Sequence, residues 1–361
     1  MNSNKTIVVA MSGGVDSSVA AALLVEQGYH VIGMMLRLWS EPGMEMFNRC
    51  CTPEAMSLAR RVAAHLDIPF YAVDIRETFY QNIVQFFIDG YAEGITPNPC
   101  MMCNRHIRFG ALLDKALALG ADKLATGHYA QVQQDKTGRY QLLRGVDAHK
   151  DQSYVLSVLN QQQLSHALFP VGGIPKPEVR ELARRFNLPV ADRSDSQDLC
   201  FLAGDDYRNF LQRNAPQLVS QPGDIVTPEG KTLGTHNGLA LYTIGQRKGL
   251  GIAHHVPLYV IDKRTNDNTL IVGTREQLGR SELIAKEVNW VAGHPPTEPV
   301  GAMVKIRYKA REVMGRVTPL PEQRARVTFT ENLRDITPGQ VAVFYVGDAV
   351  LGGGVIDKMD S

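Results

Sequence analysis

Thr6-Ile7-Val8-Val9-Ala10-Met11-Ser12-Gly13-Gly14-Val15-Asp16-Ser17-Ser18-Val19-Ala20-Ala21-Ala22-Leu23-Leu24-Val25-Glu26 is the stretch whose reading decides the fold. The β-branched run Thr6–Val9 reads as a buried strand. The run from Val19 to Glu26 favours helix and stops at Gly28. Residues 10–18 therefore form a loop between a strand and a helix N-terminus. Two glycines let its backbone turn sharply and approach a ligand. The hydroxyls of Ser12, Ser17 and Ser18, with the N–H groups of the first helical turn, point to an anion, above all a phosphate. A plain strand–helix turn with serine caps needs fewer of these features.

Outward from this loop the chain alternates strand and helix. Strands are expected at 31–36, 70–75 and 122–126, and helices at 53–66, 107–119 and 175–187. This βα alternation predicts an α/β fold with a parallel sheet covered on both faces. Ligands of such sheets bind beyond the carboxyl ends of the strands, where the loop, Leu36 and Gly127-His128 all fall. A hairpin is expected from Gln131 to Arg144, around Asp135-Lys136-Thr137-Gly138. Lys150-Asp151-Gln152-Ser153 opens a short helix and reads equally as a cap. Arg180, Arg184 and Arg185 read as a solvated helix face.

The composition changes near Ala203. Three domains are expected: 1–204, the α/β domain; 205–279, small and β-rich; and 280–361, a β-barrel broken by prolines. Gly245-Gln246-Arg247-Lys248-Gly249-Leu250-Gly251 reads as a flexible turn or a mobile basic loop. Lys305-Ile306-Arg307-Tyr308-Lys309-Ala310-Arg311 reads as a strand with four cations on one face, suited to a polyanion.

The 361 residues are 44% hydrophobic and 21% charged, typical of a soluble globular chain. No apolar run is long enough to span a bilayer. Met1–Lys5 leads directly into the first strand, so no secretory leader is expected. The formal net charge of +1 gives no global argument for a nucleic acid, which leaves local patches. The five cysteines read as reduced cytosolic thiols, catalytic or metal-related where they pair. In Thr96-Pro97-Asn98-Pro99-Cys100-Met101-Met102-Cys103-Asn104-Arg105, Pro99 marks a helix entry. Cys100 and Cys103 are then expected near its first turn, a setting that favours thiolate. Cys200 stands in the polar stretch Ser194-Asp195-Ser196-Gln197-Asp198-Leu199-Cys200-Phe201. Cys50-Cys51 reads as incidental. A lone Cys-x-x-Cys is compatible with a redox dithiol, half a zinc site or part of an iron–sulfur site. The want of a second ligand pair disfavours structural zinc.

No Gly-Lys-Ser/Thr closes the 10–18 loop, so it is not a Walker A motif. Ser12-Gly13-Gly14-Val15-Asp16-Ser17 resembles the PP-loop of N-type ATP pyrophosphatases, which cleave ATP between its α and β phosphates and adenylate an acceptor. Together with Asn98-Pro99-x-x-x-Cys103-Asn104, Thr126-Gly127-His128-Tyr129, Lys150-Asp151-Gln152-Ser153-Tyr154 and Asp195-Ser196-x-x-x-Cys200-Phe201, in this order, the chain resembles the tRNA-specific 2-thiouridylases throughout its length. That family puts sulfur on C2 of the wobble uridine of tRNAs for Lys, Glu and Gln. The resemblance implies ATP, with Mg²⁺, at Ala10, Met11, Ser12, Gly13, Gly14, Val15, Asp16, Ser17, Leu36 and Gly127. It implies Asn98, Pro99 and Cys100 at the target base, and tRNA contacts from His128, Lys150, Asp151, Gln152, Arg307, Tyr308 and Gln340. Cys200 would carry a persulfide supplied by a cysteine desulfurase or sulfur relay. Cys103 would resolve it to a disulfide.

There is one departure. Better-known members carry Asp where this chain has Cys100, which leaves the general acid/base role open. Cys100, Cys103 and Cys200 could instead hold three irons of a [4Fe–4S] cluster. Rival readings are a PP-loop synthetase with a small-molecule acceptor, an RNA-binding protein with a degenerate nucleotide site, and a 4-thiouridine synthase. The intact loop argues against the second.

Overall fold

The computed structural model describes residues 5–44, 52–194 and 199–358. Cys50-Cys51 and Asp195–Asp198 lie outside the described residues.

The first strand, β1 (Thr6–Ala10), buries Ile7, Val8 and Val9. Alternation sends Ile7 and Val9 into one apolar cluster and Val8 into another on the opposite face of the sheet. Helix α1 (Val15–Glu26) is buried on nearly all sides, and Ala20, Ala21 and Ala22 allow its close approach. Next come β2 (His30–Arg37), a helix at Pro53–His65, β3 (Phe70–Asp74) and β4 (Lys123–Ala125). A hairpin, β5 (Ala130–Gln134) and β6 (Tyr140–Arg144), and the short β7 (Ala167–Leu168) complete this part. The parallel sheet runs β3-β2-β1-β4-β7. The chain proceeds to one side from β1 and returns to its other side with β4. The carboxyl ends of β1 and β4 thus flank a topological switch point, the ligand crevice of open α/β sheets. The expected α/β parallel-sheet architecture is what forms.

Two helical rods, over 76–92 and 99–118, pack beside the sheet, and each contains a wide π-helical stretch, Tyr80–Gln85 and Cys103–Leu112. Beyond them a four-stranded sheet sets Tyr259–Arg264, Thr269–Gly273, Gly223–Val226 and Thr232–His236 side by side. Six antiparallel strands follow: Arg280–Trp290, Val300–Lys305, Val313–Leu320, Arg324–Leu333, Val341–Val346 and Ala349–Ile356. Pairing of the first with the last closes a barrel around Leu283, Val304, Val327 and Phe344. The β5–β6 hairpin leaves the first sheet and joins the barrel wall, through Leu143 opposite Ala349.

One expected strand is absent. The strand that begins at Val300 ends at Lys305, and residues 306–312 form the turn to Val313. The four cations therefore share no face. Arg307 folds inward and donates to Ile244 C=O and to Thr337 Oγ1, which explains the turn: its guanidinium would be stranded on a strand's outer face. Among the described residues no helix is long and apolar enough to cross a membrane.

Candidate functional site: a nucleotide loop beside two thiols

The loop after β1 is built as the sequence implies, with one correction. Gly13 adopts φ +70°, and a Cβ there would lie 2.4 Å from Ala55 C=O. Gly14 caps α1 without a side chain, which leaves the first-turn N–H groups to a ligand. Ser12 Oγ lies 3.2 Å from Ser17 Oγ. Ser18 is turned away: its buried hydroxyl donates to Gly14 C=O at 2.8 Å. The convergent hydroxyls are thus Ser12 and Ser17, and Ser18 stabilises the turn.

Opposite the loop, Gly127 follows β4. A Cβ at Gly127 would meet the Ser17 nitrogen at 2.6 Å and the Asp16 carbonyl carbon at 2.7 Å. Gly127, just past β4, is therefore packed directly against the first turn of α1, and only glycine fits there. Leu36, near the end of β2, bridges the apolar clusters on either side.

The loop carries no cation of its own, but distant residues supply two. Lys176, buried at the start of the Lys176–Arg185 helix, places Nζ 2.6 Å from Asp16 Oδ1. Arg193 donates to Gly13 C=O at 2.7 Å. Tyr129 OH donates to Asp16 Oδ1 at 2.7 Å. Sequence reading gave none of these three a role. Lys176 lies 160 residues from Asp16, so spacing carries no signal for it. Arg180 on the same helix is tied down, donating to Ala191 and Arg193 carbonyls, while Arg184 and Arg185 pair with Glu181 and Glu26 at the surface.

The thiols lie at the same carboxyl end of the sheet. Asn98 caps the helix that Pro99 opens, accepting from Met101 N–H. Cys100 is exposed in its first turn. Cys103 directly follows that first turn and is buried with Ile107 and Phe201. Cys200, half-buried, packs on the same cluster, which also touches Leu36 and Val73 at the ends of β2 and β3. The structure thus brings Cys103 and Cys200 into one apolar setting and leaves Cys100 outside it. Among the described residues no group of three or more His, Cys, Asp or Glu is assembled to hold a metal ion.

The remaining predicted residues form one connected surround. Tyr154, buried, donates to Val341 C=O at 2.8 Å and is hydrogen-bonded to Asn98. Tyr308, partly exposed, lies near Cys100, Lys150 and Asp151. Burial and the neighbouring acids push its phenol up. Asp151 is buried and caps: its Oδ1 accepts from Gly145 and Ser153 N–H, its Oδ2 from the Ser153 hydroxyl. Gln152 pairs with the Tyr129 backbone at both ends. Gln340 Nε2 donates to Thr96 C=O at 2.9 Å, and Thr96 N–H donates to Pro338 C=O, so the barrel grips the segment leading to Asn98. His128 is buried, with Nδ1 2.7 Å from Thr126 Oγ1. Burial and then Arg108 hold its pKa well below the ordinary value, so it is neutral. Arg247 and Lys248 are exposed on the 245–251 turn.

A parallel sheet with a glycine–serine loop at its switch point defines a PP-loop nucleotide-binding domain, here with a dithiol at its rim. Family models agree along the chain: tRNA methyl transferase HUP domain over residues 5–204, PRC-barrel domain over 208–274 and aminomethyltransferase β-barrel domain over 280–356. The chain is 49% identical over 363 residues to a tRNA-specific 2-thiouridylase MnmA of Geotalea uraniireducens (strain Rf4), covering 99% of this chain and 96% of that one. It is 50% identical over 360 residues to that of Geobacter metallireducens, covering 98% and 97%. The chain belongs to the tRNA-specific 2-thiouridylase family. A solved U34-tRNA thiolase NcsA from Methanococcus maripaludis, with its [4Fe-4S] cluster, covers 59% of this chain at 20% identity and TM-score 0.35, matching 67% of its own length.

Proposed function

We propose that this protein is an ATP-dependent tRNA sulfurtransferase of the cytoplasm, which replaces the C2 oxygen of the wobble uridine in tRNAs for Lys, Glu and Gln. The observation that carries the reading is the nucleotide loop at the switch point with Cys103 and Cys200 sharing one apolar cluster at the same carboxyl end of the sheet. A uracil C2 carbonyl is a weak electrophile without a leaving group. Adenylation of its oxygen supplies one, with pyrophosphate released. Residues 10–17, Leu36 and Gly127 hold ATP, whose counter-ion Mg²⁺ suits the Asp16 carboxylate. Loop amides and Lys176 are placed to stabilise charge on the phosphates.

Sulfur follows by a balanced exchange. Cys200 receives a persulfide from a cysteine desulfurase or relay protein. The Cys103 thiolate attacks the Cys200 Sγ, the persulfide bond breaks, and hydrosulfide leaves. Hydrosulfide adds to C2, AMP departs, and the product is 2-thiouridine with a Cys103–Cys200 disulfide. That disulfide is reduced before the next turnover, as suits a transient catalytic bridge in a reducing compartment. The flipped base sits against Asn98, Pro99 and Cys100. Lys150 and Tyr308 meet the tRNA directly. Asp151, Gln152, Arg307, Gln340 and the buried His128 shape the surface that does so.

The persulfide route is tested by peptide mapping after one turnover with enzyme whose Cys200 has been persulfidated by a cysteine desulfurase and cysteine, then given ATP and unmodified tRNA. A Cys103–Cys200 disulfide formed in step with AMP is expected, and Cys103→Ser is expected to retain the Cys200 persulfide. Turnover without that disulfide, and dependent on added iron, contradicts it.

A further inference from the structure

We infer that Tyr129 is a positioning residue that makes the nucleotide loop responsive to tRNA. The inference rests on the proposed function and goes beyond it by assigning a coupling element between its two substrates.

The observations form one chain of contacts. Tyr129 N–H donates to Gln152 Oε1 at 3.0 Å. Gln152 N–H returns to Tyr129 C=O at 2.8 Å. Gly145 closes over the same carbonyl, since a Cβ there would lie 2.8 Å from it, and Gly145 N–H is itself held by Asp151. The Tyr129 backbone is thus gripped by the 150–152 segment, which neighbours the partly exposed Tyr308. At its other end the Tyr129 hydroxyl holds Asp16 Oδ1 at 2.7 Å, inside the nucleotide loop. Its buried ring is fixed among Val15, Val19, Val171 and Val179.

Asp16 Oδ1 has two donors. Lys176 Nζ stands 2.6 Å from it and 5.7 Å from the centre of the Tyr129 ring. A polyphosphate entering the loop competes with Asp16 for Lys176. The Tyr129 hydroxyl then fixes the carboxylate, and its position follows the 150–152 segment. A displacement of that segment by bound tRNA reaches the loop through one rigid ring, and a misplacement of about 1 Å costs on the order of 100-fold in rate. Phenylalanine at 129 keeps the ring packing and removes the link to Asp16.

The test compares Tyr129→Phe with the parent in three measurements: pyrophosphate release from ATP with and without unmodified tRNA transcript, the KM for ATP, and tRNA affinity by gel shift. The expected result is tRNA affinity and ATP KM within about twofold of the parent, with the stimulation of pyrophosphate release by tRNA reduced at least tenfold. Gly145→Ala, whose Cβ would press on the Tyr129 carbonyl at 2.8 Å, is expected to lower the stimulation in the same way, and it serves should Tyr129→Phe fail to fold. Stimulation unchanged in the folded variants overturns the inference, as does a loss fully accounted for by weaker tRNA binding. A parent that thiolates tRNA but releases pyrophosphate equally without it overturns the coupling alone. A parent that does neither overturns the proposed function, and the coupling with it.

Discussion

Gly127 has no side chain, and the nucleotide loop requires that. Its missing Cβ is filled by the Ser17 nitrogen and the Asp16 backbone, neither of which can retreat without moving the first turn of α1. Gly127→Ala is expected to fold, because the strain is local, and to lower thiolation by about 100-fold or more through displacement of Asp16 and Ser17. Isothermal titration with a non-hydrolysable ATP analogue checks the origin: weakened binding is expected, and unchanged affinity with unchanged rate contradicts the packing argument. At this scale the sequence was informative where the chemistry is local. Ser12-Gly13-Gly14-Val15-Asp16-Ser17 announces its loop because its glycines, hydroxyls and helix start are adjacent. Lys176, Arg193 and Tyr129 were not legible as loop residues, because they reach Asp16 and Gly13 from 180 to 113 positions away.

Among the elements, the strand Tyr259–Arg264 carries an unusual burden: Lys263 is buried, and its Nζ donates to Tyr242 C=O at 3.0 Å. Burial first, and then Lys358, bring its pKa down to about 7, with Asp262 opposing. The unfolded chain, with an ordinary lysine, holds one more proton than the folded chain between that value and about 10.4. This group's contribution to stability therefore rises with pH across that window and is most unfavourable at pH 7 and below. The thermal midpoint of Lys263→Met is expected to gain on the parent most at pH 7, and the gap is expected to narrow by pH 9. A gap independent of pH contradicts the assignment. Period-two reading failed at 305–311 because Arg307 finds its acceptors on two other segments, Ile244 and Thr337, and those contacts turn the chain. The hairpin at 130–144 was legible from its turn residues. Its union with the barrel wall was not, since that register is set by a partner strand more than 200 residues later.

The whole molecule closes around the segment 95–98. A Cβ at Gly339 would lie 2.9 Å from Ile95 Cβ, and Gln340 binds the Thr96 carbonyl, so the barrel fixes the approach to Asn98 and Cys100. Arg144 adds a second tie, a bidentate pair to Glu312 at 2.6 and 2.8 Å, stacked 3.7 Å over the Tyr345 ring. Gln340→Ala removes about 1 kcal/mol of hydrogen bonding, so the thermal midpoint is expected to move by a few degrees at most. Thiolation is expected to fall about tenfold while tRNA-independent ATP binding is kept. Loss of ATP binding in a folded Gln340→Ala protein contradicts a positioning role. The fold class, with its parallel sheet, and the barrel were readable from alternation and turn residues; the strand order was not. The grip of one domain on another was not, because tertiary contacts leave no periodic trace in sequence.

The central claim is that ATP activation and two thiols deliver sulfur to tRNA. The most direct measurement is mass spectrometry of nucleosides from unmodified tRNA incubated with the protein, ATP, Mg²⁺ and a sulfur donor, with preparations made in air and without oxygen. The account predicts 2-thiouridine from the aerobic preparation, abolished by Cys200→Ser and by Cys103→Ser. Formation only in anaerobic, iron-containing preparations contradicts the persulfide route, and absence from both preparations, while AMP is still made with a small-molecule acceptor, contradicts thiolation itself.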